Sequence, residues 1–329
     1  MFLKRLAFVS LFLCFLLILT SCSESVKTID SNEPDVRTGG IQHGVVIPDP
    51  ESSNFTFEYT GQPIELTYMM ENGEVPDSWG LYVFTDGIQQ PFCVDNEPES
   101  KLVYVYDFSP KERKMISISF QPITGDVGDS IQVVFVVMLD PEFILEKETD
   151  LHQYGNYHAI TQMPWKIDIK SQINNRSNTQ IPQKGTQVDF FTDFQKRYEE
   201  VNESGEISSL LNSSVQFEFF NNDYYETEVQ MNAGADLEFT INAAGTCSGY
   251  NKVNYRLSIY ANHTLLKVFD GSGYVDIEIQ SDKITNLTVK IPYEILKDKD
   301  FVYLMASPIG DTASFLPIQK TESMPLIKN

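Results

Sequence analysis

From Asn54 onward the apolar residues recur with a period of two, and the ordered series returns in the second half of the chain. Phe55, Phe57 and Tyr59 alternate with polar residues, as do Leu66 and Tyr68, Leu81 and Val83, and Ile116, Ile118 and Phe120. Alternation over about four to eight residues is the mark of a half-buried strand. Ile131 to Leu139 is almost continuously apolar, as a central strand covered on both faces requires. Turn residues separate the runs at Glu71-Asn72-Gly73, at Asp86-Gly87 and from Gly125 to Gly128. Short strands at this spacing, without alternating helices, predict an antiparallel sandwich.

Five stretches then come back in chain order. Leu66, Tyr68 and Met70 return as Leu237, Phe239 and Ile241, and Leu81-Tyr82-Val83 with its Asp86-Gly87 turn returns as Leu257-Ser258-Ile259 with Asn262-His263. Ile116 to Pro122 matches Leu287 to Pro292, Val137 to Pro141 matches Leu304 to Pro308, and Gln162 to Trp165 matches Ser323 to Leu326. The shifts drift between about 161 and 176 residues, as loop insertions between diverged copies of one domain produce. The expected architecture is two tandem β-sandwiches, residues 54–169 and 187–329, each with its own core. Trp79 opens a strand and resembles the core tryptophan of immunoglobulin-type sandwiches. The resemblance to immunoglobulin-like folds is architectural and carries no functional residues across.

The first residues set the compartment. Lys4 and Arg5 precede an apolar run from Leu6 to Leu19 broken only by Ser10, and Leu19-Thr20-Ser21-Cys22 follows. Charge, apolar segment and small residues in that order form a secretory signal. The last four residues resemble the lipobox of bacterial lipoproteins. That resemblance implies removal of residues 1–21 and a diacylglyceryl group on the Cys22 sulfur, an anchor of two or more acyl chains. An uncleaved membrane helix is the alternative, although the apolar run falls short of the roughly 20 residues that span a bilayer. Lys4 and Arg5 would place the remaining chain outside in that case too.

The leader holds two of the 24 basic residues and none of the 46 acids, so the rest carries 22 against 46, a net charge of −24. Such a chain presents no basic face to nucleic acid or to an anionic lipid surface. Residues 22–53 are mostly polar, with their only apolar cluster at Val45, Val46 and Ile47, and are expected to form a flexible tether. Residues 170–186, rich in Asn, Gln and Ser, read as a linker. Phe190, Phe191, Phe194, Tyr198 and Val201 then fall at helical spacing behind Asp189, which suggests a short helix at the head of the second sandwich, a strand being the other reading.

Side chains that carry chemistry are sparse. Cys93 and Cys247 remain after processing, and their spacing fits no metal or redox motif. His152 and His158 share the stretch Asp150 to His158, which Gly155 marks as a solvated loop between strands rather than a metal site. Asp126 and Asp129, and Asp298 and Asp300, precede the central strand of each copy, where two acids are too few for calcium. Tyr154, Tyr157 and Trp165, and Tyr224 and Tyr225 beside Asn221-Asn222-Asp223, have the composition of a sugar-stacking surface. Six N-X-Ser/Thr sequons beside a bacterial lipobox reflect the abundance of Asn, Ser and Thr. No nucleophile elbow, zinc-protease helix or phosphate-cradling glycine loop is present.

These observations point to a non-enzymatic, lipid-anchored binding or scaffold protein outside the membrane, with no cofactor and a protein or glycan as possible ligand. A carbohydrate-binding or adhesion module built on the loop aromatics is the alternative. A secreted hydrolase is a third reading, for which no pair of acids is marked out.

Overall fold

The computed structural model describes residues 40–47, 56–145, 157–177, 180–189, 215–221, 228–245, 250–281, 283–310 and 316–329. The signal, Cys22, the aromatic run from Phe190, and the loop residues His152, Tyr154, Tyr224, Tyr225 and Cys247 lie outside the described residues. Gly39–Asn329 forms one compact unit.

The first half contains β1 (Ile41–Val45), β2 (Thr56–Tyr59), β3 (Ile64–Asn72), β4 (Asp77–Thr85) and β5 (Ile88–Gln89). It continues through β6 (Cys93–Val94), β7 (Tyr104–Phe108), β8 (Arg113–Phe120), β9 (Ser130–Leu139) and β10 (Ile160–Ile169). One sheet runs β1-β3-β8-β6; the other runs β2-β10-β9-β4-β5 with β7 also on β4. Ile64, Tyr68 and Met70 face inward from one sheet onto Leu81, Val83, Phe135 and Ile167 of the other. This is the period-two pattern expressed as an immunoglobulin-like sandwich.

The second half contains β11 (Thr186–Asp189), β12 (Gln216–Asn221), β13 (Val229–Met231), β14 (Leu237–Ala244), β15 (Lys252–Ala261) and β16 (Thr264–Leu265). After β17 (Val275–Gln280) and β18 (Lys283–Ile291) come a single helical turn, α1 (Tyr293–Leu296), and then β19 (Phe301–Ile309), β20 (Gln319–Lys320) and β21 (Met324–Lys328). Its sheets run β11-β18-β14-β12 and β13-β21-β19-β15-β16, with β17 on β15 and β20 on β19. Apart from β11 and the added β20, the pairing repeats that of the first half, down to the parallel pair at one edge, β2 on β10 and β13 on β21.

Three of the sequence matches are out of register by two residues. Ile64 opposes Phe120 as Leu237 opposes Ile291, so with Phe120 matched to Ile291 it is Ile64, not Leu66, that corresponds to Leu237. Equating the hairpin pairs Thr85↔Ile88 and Ala261↔Thr264 makes Leu81 the counterpart of Leu257. The ladders then oppose Val137 to Leu81 and Ala306 to Leu257, so Val137 corresponds to Ala306 rather than Leu304. Trp165, not Met163, likewise corresponds to Met324. A two-residue slip keeps every side chain on its face, which is why alternation alone does not detect it.

Two segments expected to be free chain are built into sheets. Ile41–Val45 pairs with β3 from Asn72 to Tyr68, so the tether expected over 22–53 gives way to strand at Ile41. The alternation of Ile41, His43 and Val45, with Ile41 and Val45 on the core, was hidden by the polar residues around it. Of the expected linker 170–186, Pro182–Lys184 lies along β17, and β11 takes in the second half the edge that β6 holds in the first. Asp189, read as a helix cap, ends β11.

A third apolar cluster joins the halves. Tyr82, Phe84, Val134, Val136 and Met138 turn outward from β4 and β9 and meet Tyr260, Phe301, Tyr303 and Met305 from β15 and β19. Four sheets are therefore stacked, and the two inner ones are buried on both faces. β9 is buried from Ile131 to Leu139, as its continuous apolar run demanded, and the second sandwich supplies the cover. Burying one such side chain contributes about 1.5–3 kcal/mol.

Candidate functional site

Several buried titratable groups lie around the rim of this shared layer. At one end, Asp86 and Gly87 form the β4–β5 turn with φ of 48° and 73°, the backbone of a type I′ hairpin. A Cβ on Gly87 would lie 2.9 Å from the Ser307 Cβ of the other half, so only glycine fits against it. Beside the turn Arg256 of β15 donates Nη1 to the Asp86 carbonyl at 2.5 Å and to its Oδ2 at 3.2 Å. Its Nε and Nη2 donate to the two carboxylate oxygens of Asp276, at 2.8 and 3.0 Å. This bidentate geometry holds the guanidinium, which is buried. Burial pushes the Asp86 carboxyl above its ordinary range against the pull of Arg256. The Gln89 amide donates to Tyr274 Oη at 3.2 Å close by.

At the other end, two histidines bridge the halves. His158 Nε2 donates to the Phe143 carbonyl at 3.1 Å, which leaves Nδ1 to accept from Ser323 Oγ at 2.9 Å. His263, at φ 57° in the β15–β16 turn, donates Nε2 to the Pro141 carbonyl at 2.5 Å and accepts at Nδ1 from Tyr303 Oη at 2.9 Å. The two imidazoles meet edge to face, 5.1 Å between centroids. Lys320 Nζ sits 4.3 Å over the Tyr303 ring and donates to Thr321 O and Ser323 Oγ, each at 3.0 Å. Gln162 closes the rim with a reciprocal pair to the Ile318 main chain, at 3.3 and 2.9 Å.

Burial, with Lys320 and His263 nearby, pulls His158 down to about 3. Burial chiefly pulls His263 to about 4, and burial pulls the Lys320 ammonium to about 7. Both imidazoles are neutral at pH 7, each in one tautomer with both nitrogens bonded. The arrangement clamps one half to the other rather than presenting an acid and a base to a cleft.

The residues singled out in the sequence are dispersed. Trp165 is buried in β10 and stacks on Phe57 with centroids 4.9 Å apart, so it is core and not part of a sugar platform. Tyr157 stacks on Phe143 at 3.8 Å. Asp126 forms an ion pair with Arg176 at 2.5 Å, and Asp129 Oδ2 caps the Asp126 amide at 2.7 Å. Asp126 and Arg176, with Gly125 and Ile173, border a hollow of about 300 Å³ on the first sandwich. Asp298 is exposed, and Asp300 accepts from Asn262 at 2.8 Å. Among the described residues no three metal-ligating side chains converge. Cys93 is a free thiol. Trp79 is core, its Nε1 donating to Asn72 Oδ1 at 3.0 Å. His158 is the correction: expected on a solvated loop, it is 1% exposed because the other sandwich covers it. Arg256 and Gln162 were missed, although a guanidinium inside the apolar strand Tyr255–Ala261 was itself the signal.

Neither a protein-family model nor a curated protein matches this sequence. Among solved structures, a CARDB domain from Pyrococcus furiosus in complex with di-metal ions aligns with a TM-score of 0.24 at 10% identity, covering 40% of this chain and 93% of that one. The CsuC–CsuE chaperone–tip adhesion subunit complex of Acinetobacter baumannii gives 0.23 at 13% identity, over 83% of this chain and 95% of that one. An exo-chitosanase of Amycolatopsis orientalis gives 0.24 at 11%, over 78% of this chain and 25% of the enzyme. The functional reading rests on this chain's own residues.

Proposed function

We propose that the chain is a non-enzymatic scaffold, held by lipid on Cys22 at the outer side of a bacterial membrane and presenting two sandwiches as one block. The observation that carries this reading is the shared buried layer of Tyr82, Phe84, Val136, Phe301 and Tyr303. Tandem binding modules that act independently leave such outer sheet faces exposed; here they are sealed against each other. The buried histidines and Arg256 add hydrogen bonds across that seam. Burial of Trp165 speaks against the sugar-stacking alternative.

The anchor is tested by labelling cells that express the full chain with an alkynyl fatty acid. The label is expected on the protein and lost in Cys22→Ser, which then leaves the membrane fraction. A Cys22→Ser protein that keeps both label and membrane association would sink the anchor. A glycan array probed with the full chain is expected to be silent, and a saturable signal there would favour the adhesion reading instead.

A further inference from the structure

The duplication provides an internal comparison of sheet edges. In the second half, β17 lies on β15 and turns its other edge toward the linker: the Asp276 amide donates to Pro182 O at 3.0 Å, and its carbonyl accepts from the Lys184 amide at 3.0 Å. Gln183 and Asp276 form a parallel bridge. Gln187 Nε2 donates to the Glu278 carbonyl at 2.8 Å. One extended segment thus completes the edge, and its Lys184 makes an ion pair with Asp270 at 2.5 Å.

The counterpart in the first half is β7. Leu81 opposes Tyr104 as Leu257 opposes Val275, so Val105 stands where Asp276 stands and Asp107 where Glu278 stands. In β4 the Ser78 carbonyl turns to the β9 side, taking the Asp140 amide, while the Val83 carbonyl turns to the β5 side, taking the Gln90 amide. By that alternation the odd residues of β4 bond β7 through Tyr104, Tyr106 and Phe108, and Val105 and Asp107 present N–H and C=O outward. Among the described residues nothing lies along this edge as Pro182–Lys184 lies along β17. Val105 is 37% exposed and the adjacent Leu102 44%. The charge beside the edge is acidic: Asp107 is exposed, Asp95 and Glu97 act on Tyr106, and Lys101 is already paired with Glu97 at 3.2 Å.

We propose that the outer edge of β7 is a docking strand for an extended, lysine- or arginine-bearing segment of a partner protein, laid parallel to it as Pro182–Lys184 is laid on β17. This rests on the scaffold reading and names the chemistry of what the scaffold holds. Main-chain hydrogen bonds to Val105 and Asp107 supply attachment, and the carboxylates select a basic segment. A second copy of this chain, at a net charge of −24 outside the leader, is a poor occupant of an acidic edge.

The test uses the full chain in detergent and two fluorescein-labelled heptapeptides, one alternating lysine with valine and one alternating glutamate with valine. Fluorescence anisotropy is expected to show the lysine peptide binding at least about tenfold more tightly than the glutamate peptide. Val105→Pro removes only an outward donor and leaves the β4 ladder intact, so it is expected to weaken binding by at least about tenfold with the fold retained. Asp107→Lys is expected to weaken the lysine peptide as well. Should Val105→Pro fail to fold, hydrogen exchange on the unaltered chain decides, since bound peptide must slow exchange at Val105 and Asp107. The proposal is overturned if neither peptide binds, if the glutamate peptide binds equally, if Val105→Pro binds undiminished, or if protection appears elsewhere. None of these outcomes touches the fatty-acid labelling of Cys22.

Discussion

Single buried residues, His158, His263, Lys320 and Arg256 at the seam and His43 on β1 of the first sandwich, set how stability responds to pH and to loss of charge. His158, His263 and His43 are held at about 3, 4 and 4 in the folded chain, chiefly by burial, against about 6.5 when unfolded. Below pH 6.5 the unfolded chain therefore binds protons that the folded chain refuses, so stability falls as pH drops from 6.5 toward 4. The loss is at most on the order of a few kcal/mol for each histidine, and urea midpoints measured across that window are expected to decline, less steeply in His158→Gln. Lys320 acts in a different window: held near 7 against its ordinary 10.5, it makes stability rise from pH 7 toward 10. Arg256→Ala leaves Asp86 and Asp276 facing each other across a partly buried site and is expected to cost about 1–3 kcal/mol in urea unfolding. Combining Arg256→Met with Asp86→Asn and Asp276→Asn is expected to recover more than half of that loss, because the uncompensated charges go with the partner.

At the scale of elements, the strands buried on both faces carry the most sensitive positions. Phe84 points into the shared layer and Val105 into solvent, at 1% and 37% exposure. Phe84→Ala is expected to cost about 3–5 kcal/mol and Val105→Ala under about 0.5 kcal/mol, read from denaturation curves. Gly87→Ala, strained by its positive φ and crowded by Ser307, is expected to cost about 1–2 kcal/mol. Strand identity, turn positions and the duplication were legible in the sequence because period-two alternation and Asp-Gly or Asn-His turns are local signals. Even the double burial of β9 was legible, from the unbroken run Ile131 to Leu139. What covers β9 was not legible, since the partner residues sit about 170 positions away and alternation does not encode which face meets which. The same blindness explains His158, whose partner Ser323 is 165 residues distant. Strand β1 escaped notice because five residues of alternation in a polar stretch are too few to outweigh composition. The docking edge of β7 was equally hidden, because an unpaired edge is defined by which strand fails to come alongside.

For the molecule as a whole, the decisive property is whether the two sandwiches stand or fall together. Each has a core of its own, so independent folding is open to either in principle. The shared layer couples them: Tyr82, Phe84, Val134, Val136, Met138, Tyr260, Phe301, Tyr303 and Met305 lose cover if either half opens. At about 1.5–3 kcal/mol per buried side chain, that coupling exceeds the few kcal/mol by which two sandwiches commonly differ in stability. Unfolding is therefore expected as one cooperative transition. The chain contains its own reporter, because both tryptophans, Trp79 and Trp165, lie in the first sandwich while the β-sheet signal in far-ultraviolet circular dichroism comes from both. Tryptophan fluorescence and circular dichroism should give superimposable urea curves for the unaltered chain. Placing charges in the seam with Phe84→Asp and Met305→Asp is expected to separate the curves, with fluorescence tracking the first sandwich alone. Two resolved transitions in the unaltered chain would mean that the halves behave as beads on a string, and the rigid-block scaffold would have to be abandoned.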